Sequence, residues 1–375
     1  MNIGIISTIG NDYSWAGSEE MWRGMAVKAI ESNHMITLSA APKIAQSNKV
    51  KELKKEVVKV FSREDLNAIT RRLVLKQLYS RFGAFFKNKP DVLCISMGGI
   101  ADFYWLPDLV KDLSKYKVPY VVIVQANAEG IVSSQKVRDV LKKFYSQASK
   151  VVFVSKHNLK LARRQICYNF ANSIVISNPL REEIENTIAW NSEEETLKMA
   201  EVARLDVTDK QQDHLLEALS DDQWKDRDWN LTFYGSGADE SHIRDLIKFY
   251  GLEEKVTIGG FVEDFRDIWL KHHIHVLPSR REGMPLSIIE SMACGRPAVV
   301  THAGGGTELV DDGVNGFICP GMHPEVLRDT LERVWNNKKN LEEMGALAAE
   351  KINHVLFPNW AEKITTVLEE AIALK

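Results

Sequence analysis

Two carboxylates eight residues apart, Glu282 and Glu290 in REGMPLSIIESMACGRP (281–297), have the types and spacing to do chemistry. Paired carboxylates can share one bond as general acid and general base. Their setting argues for another use. Pro285 suits the first turn of a helix, where its missing N–H costs nothing, and Gly295 followed by Pro297 suits a helical stop. Glu282 then stands just before a helix, and Glu290 lies along it, one turn after Leu286. Unpaired amides and the helix dipole make the start of such a helix an anion site. A ligand with a diphosphate in the middle and a diol at either end would meet both carboxylates, and a sugar nucleotide has that form. Taken alone, the stretch is equally consistent with Glu282 capping a turn and Glu290 lying on a solvated helix face.

The flanking sequence favours the first reading. In MAEVARLDVTDKQQDHLLEAL, Arg204 follows a strand-like run and Lys210 comes six residues later at the start of a helical pattern, two cations suited to a diphosphate. HAGGGTELVDDGVNGF carries three successive glycines, which let backbone approach a ligand closely. Asp226 and Asp228, in KDRDWNLTFYG, have the spacing of a metal-diphosphate motif but precede an apolar strand instead of following one, and no metal is expected.

These residues need a scaffold. Short β-branched runs alternate with longer helical patterns: NIGIIS, DVLCISMG, PYVVIVQ, KVVFVS and SIVIS, then LKMAEVARL, WNLTFYGSG, KVTIGGF, HIHVLPS, RPAVVTH and GFICP. Such alternation predicts parallel strands covered on both faces, in two consecutive α/β units joined near Asn178-Pro179. The chain has 375 residues, enough for two domains. No apolar run is long enough to span a membrane, and the N-terminus lacks the pattern of a signal peptide, so a cytoplasmic protein is expected. Cys94, Cys167, Cys294 and Cys319 are far apart, show no metal-ligand spacing, and are expected to be buried, reduced thiols.

The net charge of -3 hides an asymmetry. Residues 1–178 carry 27 Lys and Arg against 14 Asp and Glu, and residues 179–375 carry 21 against 37. Within the basic half, Lys49, Lys51, Lys54, Lys55, Lys59, Arg71, Arg72 and Lys76 interleave with Val, Leu and Phe. The pattern fits a helix lying on an anionic membrane surface, and equally a solvated face of core-packed helices. No nucleic-acid-binding module is recognisable, and no nucleic-acid partner is expected.

The series ARLDVTDKQQD, LTFYGSG, VTIGGFV and HVLPSRREGMPLSIIESMACGRPAVVTHAGGGTELVDDGVNGFI, covering residues 200–320 in order, resembles the nucleotide-binding domain of the family 4 retaining glycosyltransferases, with their E-x7-E signature. The resemblance implies an α/β protein of the GT-B fold: two Rossmann-like domains facing across a cleft, with a C-terminal helix crossing back to the first. The expected division is residues 1–178, joined by 358–375, as the acceptor-binding domain and 179–357 as the nucleotide-sugar-binding domain. FPNW (357–360) and the helical pattern after it match the crossover.

By the same resemblance, Glu282 contacts the donor sugar and Glu290 the ribose, while Arg204 and Lys210 neutralise the diphosphate. Amides from Gly283 and Met284 through Pro285 and Leu286 to Ser287 hold sugar hydroxyl and phosphate, and Val262 lies near the base. Gly17, in WAGSEEMWRGMA, faces the phosphates from the first domain. The family usually has Lys-Gly where this chain has Lys210-Gln211, and many relatives carry a His where this chain has Gln125. Gln125 and Asn127 are left as sugar or acceptor contacts.

The implied reaction is transfer from a nucleoside diphosphate sugar, such as a UDP-sugar, to an acceptor hydroxyl with retention, without metal or other cofactor. An anionic or lipid-linked acceptor at the cytoplasmic membrane face, in polysaccharide, lipopolysaccharide or glycolipid assembly, is expected. The alternatives are a sugar-nucleotide-binding subunit or sensor without transferase activity, and a sugar-nucleotide epimerase.

Overall fold

The computed structural model describes the chain apart from residues 11–14, 16, 55, 57, 65–73, 75–78, 131, 183, 185–186, 191–194, 357 and 374–375. Lys55, Arg71, Arg72 and Lys76 therefore lie outside the described residues. Contacts divide the chain into a first unit, residues 1–179 with 357–375, and a second, residues 180–356.

The first unit is built on β1 (Asn2–Ser7), β2 (Met35–Ala40), β3 (Val58–Ser62), β4 (Val92–Gly99), β5 (Tyr120–Ala128), β6 (Lys150–Phe153) and β7 (Ser173–Val175). They pair in the order β3-β2-β1-β4-β5-β6-β7, every pair parallel. Ile3, Ile5 and Ile6 in β1, and residues 92–95 in β4, are buried on both faces, as a parallel sheet requires. The strand order turns between β1 and β4, which marks where the carboxyl ends of the strands open a crevice.

The second unit is built on β8 (Leu197–Val202), β9 (Trp229–Tyr234), β10 (Val256–Gly260), β11 (Ile274–Leu277), the two-residue β12 (Arg281–Glu282), β13 (Ala298–Val300) and β14 (Gly316–Ile318). The order in its sheet is β10-β9-β8-β11-β13-β14, again parallel, and it turns between β8 and β11. Leu197, Met199, Leu231, Phe233, Ile274, Val276 and Val299 join one core cluster with residues of the flanking helices. Ala200, which points to the other face, packs with Phe265, Ile268, Trp269 and Cys294. Two Rossmann-like parallel sheets are the architecture of the GT-B fold.

The last helix, Trp360–Ala373, returns to the first unit and packs on the Ser18–Glu31 helix and on β4 and β5. Its Trp360 ring lies against Gly24, where a Cβ would come within 2.3 Å of the indole.

Three expectations change. Lys49 and Lys51 belong to the helix Asn48–Leu53, whereas Lys59 lies in β3, where the β-branched run VKVFS forms an edge strand. The basic segment is therefore not one amphipathic helix. Lys49 is also committed, pairing with Glu20 and standing 5.2 Å above the Trp15 ring. Cys167 is exposed, because it caps the C-terminus of Lys156–Ile166 in the left-handed conformation; the other three cysteines are buried. Finally, Pro285 is the N-cap of its helix and not its first residue. Among the described residues, no helix is long and apolar enough to cross a membrane.

Glu19, one residue into the Ser18–Glu31 helix, is fully buried, and burial pushes its carboxyl up to about 7. A carboxyl raised in the folded state contributes stability that is full below the unfolded value near 4.5 and lost as pH rises through about 7. Glu19→Gln should therefore stabilise the protein at pH 8, by up to about 3 kcal/mol, and change it little at pH 4. Urea unfolding at the two pH values checks this, and equal effects at both would contradict it.

Candidate active site

β8 and β11 flank the turning point of the second sheet, and the loops leaving them carry the charged residues. After β8 the chain runs through Arg204 to Asp206, whose side chain accepts from the Asp209 amide at 3.1 Å and caps the short helix Val207–Lys210. Gln211, with φ 59°, breaks that helix from the next, Gln212–Leu219. After β11 come Ser279 to Glu282, and the Arg280 amide donates to the Asp209 carbonyl at 2.8 Å.

Glycines hold the loops in register. A Cβ on Gly237, in YGSG after β9, would lie 2.1 Å from the Leu205 carbonyl, so only glycine lets this loop buttress the Arg204 segment. Gly304, with φ 60°, stands so close to the Glu282–Gly283 backbone that a Cβ would meet the Gly283 oxygen at 2.5 Å, and the Gly305 amide donates to that oxygen at 2.6 Å. The close approach expected of the glycine triplet is thus made in part to the chain that carries Glu282.

Lys210 and Glu282 are brought together, Nζ to Oε1, at 2.5 Å. Arg204 pairs with Asp206 at 2.9 Å and Asp209 at 3.1 Å. Behind them Glu201, at the end of β8, is completely buried, and burial holds its carboxyl well above the usual range; the Lys210 charge opposes this and the Glu282 charge adds to it. Its Oε1 accepts from Gln212 Nε2 at 2.8 Å, and the same nitrogen donates to the Arg204 carbonyl at 3.0 Å. Through Gln212, Glu201 is linked to the Arg204 loop. His275, in β11, accepts the Val202 amide at 3.2 Å, and burial pushes its pKa down to about 3, so it is neutral at pH 7.

The helix Leu286–Ala293 starts beside Glu282. Its N-cap, Pro285, supplies no side-chain acceptor. The first helical bond is Ile289 N–H to the Pro285 carbonyl at 3.2 Å, which leaves the amides of Leu286, Ser287 and Ile288 without intrahelical partners. Leu286 and Ser287 are half-buried, while Gly283, Met284 and Pro285 are buried. Pro285 contributes no N–H, so the donor series has a gap between Met284 and Leu286. Val262 is half-buried against the Phe265 cluster.

Glu290, along the same helix, is paired within the protein. Arg181 grips it bidentately, Nε to Oε1 and Nη2 to Oε2, the second at 2.8 Å. The Glu290 side chain is 1% exposed and the Arg181 side chain 28%. The Arg181 guanidinium also stands 5.7 Å above the Phe265 ring.

Three predicted residues belong to the first unit. Gly17 is the N-cap of the Ser18–Glu31 helix, at a φ of -57° open to any residue. Gln125 and Asn127 end β5 on one face and are buried. Both polar atoms of the Gln125 amide, and Asn127 Nδ2, have no hydrogen-bond partner among the described residues.

Arg181, Glu201 and the Asp206–Asp209 pair were not visible as site residues. Arg181 sits in an acidic connecting stretch without a motif, and the burial of Glu201 depends on which strand face it takes. Period-two alternation in LKMAEV, with Leu197 and Met199 inward on one face, would have put Glu201 on that same face. Asp226 and Asp228 precede β9, at the edge of the sheet opposite Arg204, and Asp228 accepts from Thr196 Oγ1 at 2.8 Å.

Residues 182–351 match the family described as Glycosyl transferases group 1. The chain is 27% identical over 246 residues to an uncharacterized glycosyltransferase of Methanocaldococcus jannaschii, covering 64% of this chain and 66% of that one. It is 29% identical over 168 residues to an exopolysaccharide phosphotransferase of Streptomyces coelicolor, covering 43% of this chain and 18% of that one. The chain thus spans less than two thirds of the length of these curated relatives. The fold matches that of the Anabaena protein HepE in complex with UDP and glucose, with a TM-score of 0.73 at 18% identity, over 98% of this chain and 99% of that one.

Because Gly304 fixes the Glu282–Gly283 backbone, Gly304→Val should displace the Glu282 loop while sparing the core. Activity is expected to fall by about 100-fold, the cost of a misplacement of about 1 Å, with a loss of stability of about 1–3 kcal/mol. Steady-state rates beside urea unfolding check this; full activity would show that the loop tolerates the side chain.

Proposed function

We propose that this chain, whose residues 182–351 match the family described as Glycosyl transferases group 1, transfers a glycosyl group from a nucleoside diphosphate sugar to an acceptor hydroxyl with retention of configuration. The observation that carries the reading is the Lys210–Glu282 pair at 2.5 Å, beside Arg204 and the uncapped start of the Leu286–Ala293 helix, at the turning point of a parallel sheet. Two cations for a diphosphate, one carboxylate for sugar hydroxyls and the amides of Leu286 and Ser287 without intrahelical partners stand together there.

In this reading Arg204 and Lys210 bear the charge that builds on the diphosphate as the bond from the sugar C1 to the leaving oxygen breaks. The amides of Met284, Leu286 and Ser287 share that charge. Preorganised donors of this kind act most strongly where charge develops. The acceptor oxygen bonds to C1 on the face the diphosphate leaves, and its proton passes to a leaving phosphate oxygen. Lys210 has three N–H donors, so it can keep Glu282 oriented toward the sugar hydroxyls while contacting the diphosphate. Glu290 binds the ribose, the Val262 segment lies at the base, and Gly17, Gln125 and Asn127 contribute from the first unit. No step requires a metal.

The acceptor belongs to the first unit, whose excess of Lys and Arg favours an anionic molecule. A phosphate-bearing or lipid-linked glycan at the cytoplasmic face of a membrane, as in cell-envelope polysaccharide assembly, fits that field. The Anabaena neighbour holds UDP and glucose, so UDP-sugars are the first donors to try.

Glu282→Ala should lower turnover by about 100-fold or more with modest change in nucleotide affinity, while Glu290→Ala should weaken UDP binding by about tenfold or more. Calorimetry with UDP and product analysis with and without acceptor provide the measurements. Turnover of the sugar nucleotide to an epimer in the absence of acceptor would replace the transferase reading. Activity should also survive EDTA; its loss, with rescue by added Mn or Mg, would refute the metal-free mechanism.

A further inference from the structure

The position of Arg181 over Glu290 bears on which nucleotides the site accepts. We propose that Arg181 is a specificity-determining residue of the donor site: it occupies both oxygens of Glu290, so that a ligand must offer two hydroxyl donors, the vicinal diol of a ribose, to displace it. The inference rests on the reading of Glu290 as the ribose carboxylate.

The geometry carries the argument. Both guanidinium arms are in use, Nε on Oε1 and Nη2 on Oε2. With the Glu290 side chain 1% exposed and that of Arg181 28% exposed, the arginine lies on the solvent side of the carboxylate. A hydroxyl approaching from that side meets the guanidinium first and reaches Glu290 where it gives way. A bidentate arginine matches a carboxylate with two parallel bonds, and a buried carboxylate that loses a partner without replacement is left unsatisfied at a substantial cost. A diol replaces both bonds at once. A 2′-deoxyribose replaces one, so that either an oxygen goes unmet or one arm stays and blocks the sugar. Once displaced, the guanidinium has Phe265 beneath it and Asp264 near enough for the Arg181 charge to act on that carboxyl.

The test is calorimetric titration of the full chain with UDP and 2′-deoxy-UDP, and with the GDP and ADP pairs. Wild type should bind the ribonucleotide at least about tenfold more tightly than its deoxy counterpart. Arg181→Ala should bind UDP more tightly than wild type and bring the ratio down to about threefold or less, because water can meet the vacated oxygens. Arg181→Lys, with a point charge in place of the fork, should fall between; if Arg181→Ala fails to fold, by its thermal transition without ligand, Arg181→Lys carries the test. Weaker UDP binding by the Arg181 variants, or an unchanged ratio, would overturn the inference. Glu290→Ala separates this from the underlying reading: if it leaves UDP affinity and the ratio untouched, Glu290 is not the ribose carboxylate, whatever Arg181 does.

Discussion

The second unit depends on backbone passing unusually close to backbone at the carboxyl edge of its sheet. Gly304 on the Glu282–Gly283 peptide and Gly237 on the Leu205 carbonyl are contacts that no side chain would permit. They convert loops, ordinarily the most mobile parts of a domain, into fixed mounts for Glu282 and Arg204. The backbone from which the cations and the carboxylate extend, beside the start of the Leu286–Ala293 helix, is thereby held by main-chain contacts.

The charges on these mounts are mutually satisfied without a ligand: Lys210 by Glu282, Arg204 by Asp206 and Asp209, Arg181 by Glu290. On the proposed reading, donor binding is an exchange of partners and not the filling of an empty charged site. Such exchange lowers net affinity but raises discrimination, since a ligand lacking any one of the required groups leaves a partly buried charge behind. Beneath them, burial disfavours the charged forms of Glu201 and His275 alike.

Much of this was legible in the sequence because it rests on local rules. The β-branched runs gave the parallel strands, and the dense series from ARLDVTDKQQD to VNGFI gave the family resemblance, in which Glu282, Lys210 and Arg204 were already named. What stayed hidden required the fold. Arg181 reaches a carboxylate 109 residues away in the chain, and no periodicity reports such a contact. Lys59 was misread because basic residues spaced for a helix face can also alternate along an edge strand. Gln211 is instructive in the other direction. Gln211, where the resemblance would have a Gly, takes a left-handed backbone at φ 59°, a conformation that glycine adopts most readily.

The return of Trp360–Ala373 to the Ser18–Glu31 helix makes the second unit an insertion within the first. On the ribosome, where domains form as their chain emerges, the usual order is inverted. Residues 180–356 are all available before the first unit has its last helix, and the Gly24 face stays uncovered until Trp360 arrives. The half of the molecule that starts first is the half that finishes last, with the whole chain of the second unit synthesised between the two pieces that make up the first.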